Sequence, residues 1–375
     1  MSNTLASIKT RVRQLRPYSL RPDRAQIKLN QNENPWDMPV KIKQETVRRI
    51  GECAWSRYPN FTPRRLNERL AEFSGWTADG IIAGNGSNEL IQALLMATVE
   101  EGKRVLISEP TFALYRQITT VLGGEVISLP LNADLSYDVT ALKDAVRDLQ
   151  PEVTIVCSPN NPTGCVLSDD DLRLLLESTN GLVVVDEAYH EFAEHSVVPL
   201  LRRHENLVVL RTFSKAMAMA ALRAGYLLAA PELTSEIAKA VLPYNLNIVS
   251  QSAAEAGVEM YEDELRPLVR EIIAERARLY EALTGINGLT PVPSRANFMV
   301  VRSAIDPKQV FAELINRNIL IRDVSGYPML SKYFRFSVGT HEENDLLIEA
   351  LREIFGVRGS PPSPFGRRAG DEGRS

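Results

Sequence analysis

A lysine amine is protonated in water and does no covalent chemistry until desolvation or neighbouring cations favour its neutral form. Lys215 has the sequence surroundings for that change. It lies in Arg211-Thr-Phe-Ser-Lys-Ala-Met217, after an apolar run at 207–210 and before Leu222-Arg-Ala-Gly225, so that Arg211, Arg223 and Ser214 flank it. Two arginines and a hydroxyl are also what a phosphate needs, because guanidinium forks bind phosphate oxygens in charge-assisted pairs. A Schiff-base lysine beside a phosphate site is what pyridoxal 5'-phosphate (PLP) requires. Taken alone, the segment also reads as an ordinary surface lysine after a strand.

A second element is Gly181-Leu-Val-Val-Val-Asp-Glu-Ala-Tyr189, a β-branched run that ends in Asp186. It reads as a strand buried on both faces with a carboxylate at its carboxyl end, the end where ligands sit in open α/β sheets. A PLP enzyme needs a carboxylate against the pyridine nitrogen, since a protonated ring is the stronger electron sink. Tyr189, three residues on, is positioned to bring its hydroxyl to the ring's phenolic oxygen. A helix cap or a loop acid is the other reading of Asp186. The strand at 153–157 stops at Ser158-Pro-Asn-Asn-Pro-Thr-Gly164, which is turn chemistry in any case. Asn161, held extended by Pro162, can point its amide into the same cleft.

These side chains need a scaffold that brings several strand ends together. Strand-like runs alternate with helical patterns from about residue 81 to 230, the mark of a mainly parallel sheet covered by helices. The 29 residues from Asp186 to Lys215 leave room for a helix, a turn and the next strand, which puts both residues on neighbouring strand ends. A helical stretch from about 250 to 283 is expected to lead into a smaller unit with strands at 296–301, 319–321 and 334–338. Arg335 then lies on a different domain from Lys215, and domain closure would complete the site and exclude water.

Six motifs in order, Gly84-Asn-Gly-Ser-Asn-Glu89, SPNNPTG, DEAY, RTFSKA, LRAGY and RFSVGT, resemble the fold-type I PLP-dependent aminotransferases. More narrowly, Leu29-Asn-Gln-Asn-Glu-Asn-Pro35, Tyr58-Pro-Asn60 and Leu242-Pro-Tyr-Asn-Leu-Asn247 are similar to the pattern of the histidinol-phosphate aminotransferase family. The match runs over about residues 14 to 356.

The resemblance implies an α/β fold, with a large PLP-binding domain built on a mainly parallel seven-stranded sheet at 36–265. A smaller α+β domain follows at 266–357, an amino-terminal segment at 1–35 packs with it, and 358–375 forms a disordered tail. It implies that Lys215 carries PLP and shuttles a proton, that Asp186 pairs with the ring nitrogen, and that Asn161 and Tyr189 bind the phenolic oxygen. The phosphate then rests on Ser214, Arg223 and the amides of Gly86, Ser87 and Asn88, where a glycine turn opens a helix at 89–99 and offers free N–H groups to an anion. Phe112 stacks on the ring, and Tyr58 reaches across a homodimer interface to the partner's cofactor phosphate. Arg335 binds the α-carboxylate of glutamate or the substrate phosphate, its planar fork suiting either anion. Arg322, Tyr18 and Asn34 complete the substrate set, although Arg322 and Tyr18 also read as a surface salt bridge and a packing tyrosine. The activity implied is transamination of L-histidinol phosphate with 2-oxoglutarate. Aromatic amino acid transamination, threonine-phosphate decarboxylation and a non-catalytic PLP-binding regulator are the alternatives.

Other signals carry less. Gly84-x-Gly86-x-x-Glu89 lacks the third glycine of a dinucleotide loop, and no Gly-Lys-Ser/Thr follows for a P-loop. His190 and His195 are five apart, about 140° around a helix, whereas a zinc-protease pair sits one turn apart. Cys53, Cys157 and Cys165 are few, odd in number and without ligand spacing, which suits a reducing cytoplasm. A net charge of −4 with pI near 5.8 argues against nucleic acid as a partner. No apolar run approaches the roughly 18 residues of a membrane span. The amino terminus is basic and acid-poor without an apolar core, which argues against a secretory signal and leaves an organelle transit peptide open.

Overall fold

The computed structural model describes residues 3–15 and 25–356, so Tyr18 and the tail at 358–375 lie outside the described residues. A two-residue strand β1 (Ile27–Lys28) precedes β2 (Ile81–Gly84), β3 (Arg104–Glu109), β4 (Glu125–Pro130), β5 (Val153–Cys157), β6 (Leu182–Asp186), β7 (Leu207–Thr212) and β8 (Gly225–Leu228). Strands β2 to β8 form one seven-stranded sheet in the order β2-β8-β7-β6-β5-β3-β4. From β4 to β7 every pairing is parallel, while β8 runs antiparallel to both its neighbours. This is the mainly parallel α/β sheet expected from the alternating pattern.

The central strands are apolar on both faces because helices cover both faces. Side chains alternate across the sheet: Val183, Val185, Leu207 and Val209 enter one apolar cluster, and Val184, Val208 and Leu210 enter the other. Arg211 near the end of β7 is a charged exception. It is buried because its guanidinium pairs with Glu187 at 2.9 Å and donates to Ser196 Oγ and the Tyr226 hydroxyl. Burial pushes the Glu187 carboxylate up, but Arg211 and its other neighbours outweigh that and hold it below its usual range.

The register sets the functional edge. Cys157 lies beside Asp186, Asp186 beside Leu210, and Gly225 beside both Thr212 and Gly84. Since β2 is antiparallel to β8 and β8 to β7, β2 ends on the same rim as β7. The segments that follow Gly84, Glu109, Cys157, Asp186 and Thr212 therefore open at one edge. Gly225 is required there: a Cβ would lie 2.6 Å from the backbone nitrogen of Ser87, where the loop after β2 presses on the sheet.

The remaining strands are β9 (Leu289–Pro291), β10 (Phe298–Ser303), β11 (Ile319–Leu320), β12 (Arg322–Asp323) and β13 (Tyr333–Ser337). An antiparallel sheet has the order β12-β13-β10-β9, and β1 pairs in parallel with β11. The Leu29 carbonyl accepts the Ser337 N–H at 2.8 Å, so the amino-terminal segment is sewn to this sheet before it reaches the rim. The strand expected at 296–301 begins two residues later, because Asn297 turns inward and donates its amide to the carbonyl of Asn32 at 3.1 Å.

Two further expectations differ from the structure. The helical stretch at 250–283 is two helices, Ile248–Glu259 and Arg266–Thr284, separated by Met260 and a π-helical turn. Pro267 has no N–H to continue the ladder and restarts the helix in its first turn. The crossover from β6 to β7 holds only the short helices His190–Ala193 and Val198–Arg202 instead of one full helix. Among the described residues no helix is long and apolar enough to cross a membrane.

Candidate active site

A cavity of about 430 Å³ opens at the rim, between the large sheet and the β12-β13-β10-β9 sheet. Asp186, at the last position of β6, is 3% exposed and points a carboxylate into it. Its Oδ2 accepts the Tyr115 hydroxyl at 2.6 Å and its Oδ1 the Ala188 N–H at 3.1 Å. Burial pushes its pKa up to about 6, partly offset by the Tyr115 hydrogen bond. An acid of this kind is well matched to a partner that brings its own proton and positive charge, such as a pyridinium.

Lys215 lies three residues past β7 and faces the same cavity. Its Nζ donates to the Gln31 carbonyl at 3.0 Å and lies 6.0 Å from the centre of the Tyr189 ring. Burial first, then the guanidiniums of Arg335 and Arg223, bring its pKa down to about 7. A large fraction of the amine is therefore neutral at neutral pH, as a nucleophile toward an aldehyde must be.

Tyr189 and Asn161 meet as the sequence leads one to expect. The Tyr189 hydroxyl accepts from Asn161 Nδ2 at 3.3 Å and from Asn32 Nδ2 at 3.0 Å. Asn161 Oδ1 accepts Arg335 Nη1 at 2.6 Å, and Arg335 Nη2 donates to the Asn30 carbonyl at 3.0 Å. Arg335 from β13 and Arg322 from β12 are directly opposite in the antiparallel register, and both line the cavity. Two arginines from adjacent strands therefore face whatever occupies this end.

The opposite end is a cradle for an anion. Gly86 has φ +79° and caps the helix Ser87–Thr98, whose first residues Ser87 and Asn88 line the cavity. A Cβ on Gly86 would stand 2.6 Å from Arg223 Nη2, so the loop and that guanidinium are in contact and only glycine fits between them. Arg223 Nη1 donates to Ser214 Oγ at 3.1 Å, and the helix dipole points at the same spot. Behind the loop, Glu89 accepts from the Asn85 N–H at 2.6 Å and from Asn245 Nδ2 at 2.7 Å, which ties the Leu242–Asn247 motif to the turn. The donor set fits PLP: an amine for its aldehyde, a carboxylate for its ring nitrogen, Phe112 in the wall, and a glycine turn with Ser214 and Arg223 for its phosphate.

The structure places the other expected residues elsewhere. Asn34 donates its side-chain amide to the main-chain carbonyls of Ala216 at 3.2 Å and Lys215 at 3.4 Å, so it braces the lysine from behind. Tyr58 is 81% exposed, outside the cavity, and stacks on Tyr244 with ring centroids 4.6 Å apart. Tyr115, Asn30, Asn32 and Tyr327 belong to this site and were missed. Tyr115 sits in the first turn of the helix Leu114–Leu122, three residues after Phe112, which lies before that helix begins, and no local spacing marked it.

The shift at Lys215 has a stability consequence. Its folded pKa of about 7 lies below the ordinary 10.5, so the unfolded chain binds more protons between those values. Stability of the ligand-free protein from this group is lost as pH falls from 10.5 through 7 and regained as pH rises. Urea unfolding at pH 7 and pH 9.5 is expected to show a gain at the higher pH in the wild type that Lys215→Met lacks. Equal pH dependence in the two proteins would remove the assignment of a depressed lysine.

The aminotransferase class I and II family model matches residues 24–351. A histidinol-phosphate aminotransferase from Chlorobaculum tepidum is 39% identical over 331 residues, covering 88% of this chain and 94% of that protein. One from Chlorobium phaeovibrioides is 38% identical over 347 residues, covering 92% and 96%. The solved histidinol-phosphate aminotransferase of Sinorhizobium meliloti, in complex with pyridoxal-5'-phosphate, shares the fold with a TM-score of 0.84 at 24% identity, over 94% of this chain and 98% of that one. With a lysine, an aspartate and an anion cradle set on the rim of such a sheet, the chain belongs to the class I and II aminotransferases, in the family of the histidinol-phosphate aminotransferases.

Proposed function

We propose that this protein transfers the amino group of L-histidinol phosphate to 2-oxoglutarate, giving imidazole-acetol phosphate and glutamate in histidine biosynthesis. The observation that carries the reading is the pairing of Arg322 with Arg335 across β12 and β13, in the same cavity as Lys215. PLP, when bound, supplies the electron sink and carries the amino group between the two half-reactions. Lys215 takes the proton from the amine-bearing carbon of the substrate and returns it, which requires the neutral amine that burial provides. Asp186 holds the ring-nitrogen proton in place. Asn161 and Tyr189 orient the ring oxygen, and Asn161 also fixes Arg335.

Arg335 serves both half-reactions. A guanidinium accepts the α-carboxylate of glutamate or the phosphate of histidinol phosphate with the same planar fork. Arg322 adds the second positive charge that a phosphate dianion rewards more than a carboxylate does. The division into a large domain at 36–265 and a small one at 266–357 lets closure bring these arginines onto the substrate.

A homodimer with shared sites is part of the same reading. Trp55, Tyr58, Phe61 and Leu242 are each more than two-thirds exposed, Tyr58 stacks on Tyr244 and Phe61 meets Tyr244 edge-on, which leaves exposed apolar surface that suits burial against a second copy. Tyr58 is then the residue offered to the partner's cofactor phosphate. The three free cysteines support a reducing, cytoplasmic setting.

Adding L-histidinol phosphate without a keto acid to the PLP-loaded protein is expected to convert the visible absorbance to the near-ultraviolet form of the aminated cofactor, faster than phenylalanine or tyrosine does. A faster response to an aromatic amino acid or to threonine phosphate would reassign the substrate, and no response to any amine would favour a PLP-binding regulator. In mixed dimers, Tyr58→Phe in one subunit is expected to weaken PLP binding in the other subunit. Weakening confined to the mutated subunit would contradict the shared site.

A further inference from the structure

Tyr115 lies in the first turn of the helix Leu114–Leu122 and is completely buried. Its hydroxyl donates to Asp186 Oδ2 at 2.6 Å, and its ring meets Phe112 edge-on with centroids 5.5 Å apart and planes at 82°. Phe112 and Asp186 both line the cavity. They come from the ends of β3 and β6, which are not neighbours, because β5 runs between them. Tyr115 therefore touches two residues that the sheet itself leaves a full strand apart. Its own position is fixed by its N–H, donated to the Phe112 carbonyl at 3.3 Å, and by its carbonyl, which accepts Thr119 Oγ1 at 2.8 Å.

We propose that Tyr115 is a positioning residue, which holds the Asp186 carboxylate and the Phe112 ring in the relative arrangement that grips a pyridine ring by its nitrogen and one face. This rests on the reading of Asp186 as the ring-nitrogen partner. The torsion that turns a carboxylate about its own axis is soft, so one hydrogen bond does not fix its plane. Here each oxygen has one donor, Ala188 N–H on Oδ1 and the Tyr115 hydroxyl on Oδ2, and the plane is set. The charge state depends on the same bond. Burial favours the protonated acid, and a protonated acid cannot hold a pyridinium proton; the hydroxyl favours the ionised form. Edge-to-face contact then gives the Phe112 ring a definite tilt at the cavity wall.

The test is PLP affinity of the ligand-free protein, measured by fluorescence titration across pH for the wild type, Tyr115→Phe, Tyr137→Phe and Asp186→Asn. Tyr137 is the control: it is also a buried tyrosine, and its hydroxyl donates to the Cys157 carbonyl at 2.6 Å without touching Asp186. Tyr115→Phe is expected to weaken PLP binding roughly 10- to 100-fold, the effect of removing a buried hydrogen bond to a charged group. Its pH midpoint of binding moves upward, while Tyr137→Phe stays close to the wild type. Wild-type affinity in Tyr115→Phe, or an equal loss in both tyrosine variants, overturns the proposal. Wild-type affinity in Asp186→Asn withdraws the reading of Asp186 and the proposal with it. If Tyr115→Phe does not fold, fluorotyrosine placed at position 115 keeps the shape and changes the acidity of the hydroxyl. The pH midpoint of PLP binding must then move, and a fixed midpoint contradicts the proposal.

Discussion

A neutral lysine amine in a cleft between two sheets is the constraint on which the rest of this molecule depends. Lowering the Lys215 pKa from 10.5 to about 7 corresponds to a difference on the order of 5 kcal/mol between its two protonation states. No single neighbour supplies that. Burial by the two sheets is the largest contribution, and Arg335 from the small sheet adds more than Arg223 from the large one. The lysine's chemistry therefore requires both halves of the structure at once. The arginines that depress it are the same ones proposed as the anion sites, so on that proposal one electrostatic arrangement would both prepare the nucleophile and bind the phosphate or carboxylate groups of its ligands.

The segment at 30–34 joins those halves. The Asn30 carbonyl accepts Arg335, the Gln31 carbonyl accepts Lys215, Asn32 donates to Tyr189, and Asn34 donates to the backbone of Lys215 and Ala216. To do this in five residues the chain bends at Asn32, whose φ of 54° is left-handed, a conformation that asparagine tolerates better than most residues. Asn297 closes the arrangement by donating to the Asn32 carbonyl. These bonds explain why a run of small polar residues near the amino end lies in the centre of the site. The groups that the Asn32 and Asn34 side chains bond would be left without that partner by apolar residues in their place.

The cofactor end of the site was legible in the sequence because its residues follow strands directly. Asp186 ends β6, Asn161 and Lys215 come within four residues of the ends of β5 and β7, and the short continuous β-branched apolar runs mark those strands plainly. Gly86 was legible because a glycine turn before a helix has few other uses. Tyr115 was not, because a tyrosine in the first turn of an amphipathic helix reads as core, and core it is, apart from one hydroxyl. Asn32 was hidden for a different reason: its partner Tyr189 is 157 residues away, and no local pattern encodes that distance. The break at Met260 was also missed, although Pro267 marked it, because the apolar periodicity continues on both sides. Short strands such as β9 and β12 have too few residues to show a period at all.

The central claim is that burial and the flanking guanidiniums keep Lys215 largely uncharged near neutral pH. Titrating that amine itself tests it most directly: carbon-13 labelling at lysine Cε in the ligand-free protein, with the resonance assigned by its loss in Lys215→Met. A midpoint near 7, well separated from the other lysines, is expected. A midpoint near 10.5 would contradict the claim, since the lysine would then enter the reaction as an ordinary ammonium.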